Sequence, residues 1–256
     1  MPARPCDDDR VTALFLFDLD GTMVDHRGAV LTAIRRIVQN AACARLPADE
    51  LVELWWVLER THMRQYLDGE CSFAEQRRRR LRGFLPLLGD PVPGNAGLDA
   101  WFAERYLPSY EAAWSCYPDV VPCLEALAGL PGPPRRPVLT SGDPEQQRAK
   151  LARFGLLGHF EAVLTSADLG VAKPDPAAFT AACRWLDVDP RQVVSVGDWL
   201  EGDVIAATRA GLAAVWLDRG VDPVTGKPPD RAKAADPGLA RIEYLTDLTA
   251  PRLRAG

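Results

Sequence analysis

The sequence predicts an α/β fold, a doubly wound parallel sheet with an all-helical block inserted directly after its first strand. Three observations predict it. Residues 11–17, VTALFLF, form an apolar run of strand length that ends in Asp and Gly. Residues 27–116 carry helical periodicity alone. After Pro118, short apolar runs alternate with helical stretches at the spacing of a parallel sheet.

In the helical block, Val30, Leu31, Ile34, Ile37, Val38 and Ala41 recur at three- and four-residue steps, as do Leu51, Leu54, Trp55, Leu58, His62 and Tyr66. Ser72-x-x-Glu75 has the pattern of a capping box and opens a third helix toward Leu88. The loop GDPVPGNAG, 89–97, breaks the pattern, and a further helix from about 98 is expected to end near Pro108. Strands are expected at Pro137–Leu139, Ala162–Leu164, Val193–Val196 and Ala213–Leu217, with helices near 119–129, 144–155, 176–186 and 203–210. Segment 218–240, rich in Pro, Gly and charge, is expected to be a mobile loop, followed by a last strand and helix within 241–254. The expected domains are thus a discontinuous core, 1–26 and 117–256, and a helical insertion, 27–116, placed where a lid would be.

Composition narrows the function classes. With 47% hydrophobic and 25% charged residues the chain can bury a sizeable core. A net charge of −5 speaks against a nucleic-acid partner. No apolar run approaches the ~20 residues of a membrane span, and MPARPCDDDR lacks the apolar stretch of a secretory signal. Six cysteines without a C-x-x-C pair suggest reduced thiols, so a cytoplasmic location is expected. The three histidines form no ligand-spaced cluster with them, which argues against zinc. Only four residues are lysines, at 150, 173, 227 and 233. Any lysine near a chemical motif is therefore informative.

The chemistry gathers where strands end. LFLF runs into Asp18, PVL into Thr140 and Ser141, AVL toward Lys173 after a loop, and VVSV into Gly197 and Asp198. In an open parallel sheet all strand carboxyl ends lie on one edge, so these residues converge. Asp18 and Asp20, two positions apart, point the same way while Leu19 points elsewhere. Gly21 permits the sharp exit. Two carboxylates about 5 Å apart repel by roughly 3 kcal/mol at an effective dielectric near 20. Asp18, Asp20, Asp198 and Asp203 together suit a hard divalent cation, and Mg²⁺ takes oxygen ligands of this type.

DLDGTMVD, LTS at 139–141, AKPDPAAF at 172–179 and VGDWLEGD at 196–203 resemble, in order, the four motifs of the haloacid dehalogenase-like hydrolase superfamily. The helical block resembles the insertion of the branch with an α-helical cap between the first two motifs, related to phosphoglycolate phosphatase and β-phosphoglucomutase. The resemblance implies a Rossmann-like core and a magnesium-dependent phosphatase of small metabolites. It assigns Asp18 as the nucleophile that becomes an aspartyl-phosphate and Asp20 as general acid and base, with the Asp20 backbone carbonyl as a metal ligand. Thr140, with Ser141 beside it, would bind the phosphoryl group. Lys173 would offset charge on nucleophile and phosphoryl oxygens. Asp198 would bind Mg²⁺ directly, with Asp203 behind it. Ser141 stands where relatives often carry Asn, and Trp199 where a small polar residue is common.

The implied partner is a small phosphorylated metabolite, with neither nucleic acid nor membrane, and the chain is expected to be a monomer or homodimer. The alternatives are a phosphomutase of the same superfamily and, from another class, a phospho-accepting signalling domain. The latter is about half this length and fits Asp20-Gly21-Thr22 badly. A dehalogenase needs neither an acid two residues after its nucleophile nor a metal. In the helical block His62 is expected to be a packed residue of its stripe. Four consecutive arginines, 77–80, cannot share one helix face, and Arg77, falling between Phe73, Leu81 and Phe84, is the one expected to turn inward and grip an anionic group. The acidic run at 7–9 is expected to be a solvated tail.

Overall fold

The first strand, β1 (Leu14–Phe17), alternates its side chains between two cores, as a central strand of a two-faced sheet must. Leu14 and Leu16 pack into one and Phe17, with Leu19 beyond it, into the other. The computed structural model describes residues 14–223, 225–229, 231 and 239–249. The expected acidic tail at 7–9, the start of the first strand at 11–13, part of the 218–240 loop and the end of the last helix lie outside the described residues.

The chain divides into two compact units, one of residues Asp25–Ser115 and one of Met1–Val24 with Cys116–Gly256. In the described part of the second, six parallel strands make one sheet. After β1 the insertion contributes five α-helices: α1 (His26–Gln39), α2 (Ala48–Leu67), α3 (Phe73–Leu88), α4 (Asn95–Trp101) and α5 (Leu107–Ala112). The sheet unit resumes with α6 (Val120–Ala128), β2 (Val138–Thr140), α7 (Pro144–Arg153), β3 (Val163–Thr165), α8 (Ser166–Leu169) and α9 (Pro176–Leu186). β4 (Val193–Gly197), α10 (Ala206–Arg209), β5 (Ala213–Leu217) and β6 (Ala240–Ile242) complete it.

The strand order is β3-β2-β1-β4-β5-β6. The order reverses between β1 and β4, which is where such sheets open a crevice at their carboxyl ends. The register there is exact enough to matter: Phe17 pairs with Val196, and the Asp18 amide donates to the Val196 carbonyl at 2.9 Å. Asp18 and Asp198 therefore leave adjacent strands at nearly the same height. One face of the sheet is covered by Leu124 and Leu127 of α6 and Leu151 of α7, the other by Phe179, Ala182 and Leu186 of α9.

The helical unit departs from expectation at three points. Its last helix does not stop at Pro108. A π-helical turn, Phe102–Tyr106, joins α4 to α5, and Pro108 falls in the first turn of α5, where the missing N–H costs little. Ser72 Oγ accepts from the Glu75 amide at 3.2 Å, but the Glu75 carboxylate is held by Arg82 at 2.7 Å. Finally, α2 buries Trp55, Trp56 and Glu59, leaving His62 half-buried and bonded to Gln65.

Of the arginine run, Arg80 is the one that is buried. It is ion-paired to Glu59 Oε2 at 3.2 Å. Glu59 Oε1 lies 3.1 Å from His26 Nε2, and His26 Nδ1 lies 2.7 Å from the Tyr110 hydroxyl. Burial opposes the charge on Glu59, yet Arg80 and His26 outweigh it and hold the carboxyl down at about 2. Arg77 instead stacks on Phe73 and Phe102, its guanidinium 4.5 and 4.8 Å from the ring centres.

Candidate active site

Three carboxylates meet at the crevice. Asp18, Asp198 and Asp203 are all buried, and one oxygen from each lies within 4.8 Å of the others. Asp18 follows β1 and Asp198 follows β4. Asp203 sits on a π-helical turn, Leu200–Ile205, that returns it to the strand it came from. Ser195 Oγ of β4 donates to the Asp203 carbonyl at 2.7 Å, and the Asp203 amide donates to the Trp199 carbonyl. Trp199 packs its ring over Gly202, where a Cβ would lie 1.9 Å from a ring carbon.

Lys173 joins the group from the third motif. Its Nζ is 2.6 Å from Asp18 Oδ1 and 2.6 Å from Asp203 Oδ1. The other Asp203 oxygen accepts from the Trp199 amide at 3.0 Å. Asp198 is oriented by Thr22, whose hydroxyl donates to Asp198 Oδ1 and accepts from the Asp198 amide, each at 3.1 Å. The Trp216 indole donates to the Asp198 carbonyl at 3.0 Å. Gly21 adopts φ +90°, and a Cβ there would fall 2.3 Å from Asp198 Oδ2. Only glycine meets both demands.

The electrostatics of the cluster are those of a site short of positive charge. Burial, helped by Asp203 and Asp20, pushes the Asp18 carboxyl up to about 7 in spite of Lys173. Burial and the charges of Asp18 and Asp203 hold Asp198 well above the ordinary carboxylate range. Burial lowers Lys173, but Asp18 and Asp203 overcome it and raise the ammonium.

Asp20, two residues after Asp18, is clasped separately. Lys150 Nζ donates to both its oxygens, at 2.6 and 2.9 Å, and Gln147 Nε2 donates to Oδ2 at 2.8 Å. Gln147 Nε2 also reaches Thr140 Oγ1 at 2.6 Å. Thr140 is buried at the end of β2, and the neighbouring Ser141 Oγ is buried with no hydrogen-bond partner among the described residues.

The donor set fits one divalent cation. Counted as ionised, four carboxylates against two ammonium groups leave two negative charges, and among the described residues Asp18 Oδ2 is buried without a hydrogen-bond donor. A hard cation with oxygen ligands satisfies both conditions.

Seven of the eight residues singled out from the sequence (Asp18, Asp20, Thr140, Ser141, Lys173, Asp198 and Asp203) therefore belong to the sheet unit and cluster around its crevice, while Arg77 belongs to the helical unit. Sequence reasoning missed Thr22, Gln147 and Lys150. Lys150 carried a signal, since it is one of four lysines and stands three residues after Gln147 on the helix that follows Thr140.

The haloacid dehalogenase-like hydrolase family matches residues 12–211, which include the seven clustered residues together with Thr22, Gln147 and Lys150. The chain belongs to that family. Within it, this hydrolase is 40% identical over 206 residues to a glyceraldehyde 3-phosphate phosphatase of Methanopyrus kandleri, covering 80% of this chain and 83% of that one. It is 45% identical to a phosphoserine phosphatase of Thermus thermophilus over 86 residues, and there spans only 34% of each chain. The crystal structure of a 2-haloacid dehalogenase from Pseudomonas syringae pv. Tomato superposes with a TM-score of 0.61 at 30% identity, covering 92% of this chain and 95% of that one.

Proposed function

We propose that this haloacid dehalogenase-like hydrolase is a phosphatase that hydrolyses a small-metabolite phosphomonoester through an aspartyl-phosphate on Asp18. Both dehalogenases and phosphatases stand among the proteins it resembles. The observation that carries the choice is Asp20. A halide leaves without a proton, whereas an alkoxide needs one, and a buried lysine and glutamine hold a second carboxylate in place beside the nucleophile.

In the proposed reaction a carboxylate oxygen of Asp18 attacks phosphorus in line with the ester oxygen. The P–O ester bond breaks as the new P–O bond forms, and Asp20 gives its proton to the departing alcohol. Asp20, now a carboxylate, takes a proton from water as that water attacks the aspartyl-phosphate. Inorganic phosphate leaves and Asp18 is regenerated. Thr140 and the buried hydroxyl of Ser141 donate to the phosphoryl oxygens, and Lys173 neutralises charge on Asp18 and on the group in transfer. Magnesium, held by Asp18, Asp198 and the Asp20 backbone carbonyl with Asp203 behind them, would supply further positive charge to the phosphoryl oxygens.

The helical unit Asp25–Ser115 is proposed as the cap that selects the leaving group, which would favour a small phosphorylated metabolite. A cytoplasmic location is proposed on the same footing. The described cysteines, Cys43, Cys71, Cys116, Cys123 and Cys183, are free thiols, and no described helix is long and apolar enough to cross a membrane.

The test is phosphate release from a panel of metabolite esters, triose and sugar phosphates and phosphoserine included, with and without Mg²⁺ and with Asp18→Asn as control. Magnesium-dependent release that Asp18→Asn abolishes is expected. Release of chloride from 2-chloropropionate with no phosphate release, or isomerisation of a hexose 1-phosphate faster than its hydrolysis, would replace this reading.

A further inference from the structure

We infer that Lys150 and Gln147 are positioning residues that hold Asp20 in register with Thr140 for proton transfer, an inference that rests on the phosphatase reading. Three observations carry it. Lys150 is 1% exposed. An ammonium so deeply buried is costly unless paired, and its Nζ gives its hydrogen bonds to both Asp20 oxygens and to Gln147 Oε1, the last at 2.7 Å.

The orientation of the Gln147 amide is dictated by chemistry. Lysine only donates, so Oε1 must face Lys150, and the amide nitrogen Nε2, itself a donor, is left for the Asp20 oxygen. The same Nε2 meets Thr140 Oγ1. One side chain thereby links the group that would move the proton to the group that would hold the phosphoryl.

The backbone is shaped for this amide. A Cβ on Gly142 would stand 2.6 Å from both Cδ and Nε2 of Gln147. Glycine at 142 leaves the amide room to lie against the turn between β2 and α7. Both clasping residues ride on α7, one turn apart, and Asp143 caps that helix through a 3.1 Å bond from the Gln146 amide.

A residue that places the general acid matters in proportion to the leaving group's need of a proton. Phenyl phosphate releases a phenol with a pKa of about 10, whereas 2,4-dinitrophenyl phosphate releases a stable phenolate. In single-turnover experiments on the full chain with Mg²⁺, Lys150→Met, Gln147→Leu and Gly142→Ala should each slow phenol release at least ~10-fold, within the range of general-acid effects. Dinitrophenolate release should fall less than ~3-fold. The ester that needs no proton serves as the folding control, and Gln147→Leu and Gly142→Ala leave every buried charge in place should Lys150→Met unfold. Equal losses on the two esters in those two variants, or no loss on either, would overturn the inference. Asp18→Asn separates this from the parent reading. If it still turns over either ester, the phosphatase mechanism falls; if it is inert while the clasp variants are unselective, only the clasp falls.

Discussion

Lys173 and Asp18 stand 155 residues apart in the chain and 2.6 Å apart in the fold. The same ammonium lies equally close to Asp203, so one cation serves two buried acids. Removing it would leave both carboxylates without that counter-charge in a site that already raises the Asp18 carboxyl. Lys173→Met should therefore lower kcat by at least ~10²-fold, the size seen when a preorganised charge is deleted from an active site. Lys173→Arg should recover only part of it, because a planar guanidinium cannot place one point charge between two oxygens. Steady-state kinetics on the best ester of the panel decide this, and kcat near the wild-type value in Lys173→Met would count against the role.

Asp198 should govern metal affinity. In the wild-type protein, Mg²⁺ at a hundred times its dissociation constant should stabilise the fold by about 2.7 kcal/mol, seen as a rise in Tm that excess chelator reverses. Asp198→Asn should lose that rise and bind Mg²⁺ at least ~10-fold more weakly by titration calorimetry. An unchanged metal response would place the ion elsewhere.

The ion pair of Glu59 with Arg80 makes a separate claim about acid stability. The Glu59 carboxyl is depressed from 4.5 to about 2 in the fold. A depressed acid stabilises fully above its unfolded pKa, and that contribution is lost as pH falls through the folded value. The shift corresponds to about 3 kcal/mol, present above pH ~4.5 and gone below pH ~2. Urea midpoints of Glu59→Gln should lie below wild type at pH 7, with the gap narrowing at pH 3. A constant gap across that range would show that Glu59 is not held ionised by Arg80.

Much of the sheet unit was legible because strand ends are local features. An apolar run that stops at Asp or Thr marks its own boundary, and parallel topology then brings Asp18, Thr140, Lys173 and Asp198 together. What was not legible depends on side chains crossing between elements. Gln147 and Lys150 look like ordinary polar positions of an amphipathic helix, and only the fold shows that both are buried. The arginine run was legible only in part, for a related reason. Helical spacing limits how many of the four can face inward, but which one does is set by Glu59 on a neighbouring helix and by Phe102 two helices on. Pro108 misled because a proline forbids only one N–H bond, and a π-helical turn just before it lets the helix continue.

The central claim is that Asp18 takes up phosphorus, and acid quenching during turnover tests it most directly. Enzyme mixed with ³²P-labelled ester and Mg²⁺, quenched within one turnover and digested, should carry label on the peptide containing Asp18, with none in Asp18→Asn. Phosphate released by an enzyme that never carries label, or that carries it on another residue, would contradict the account.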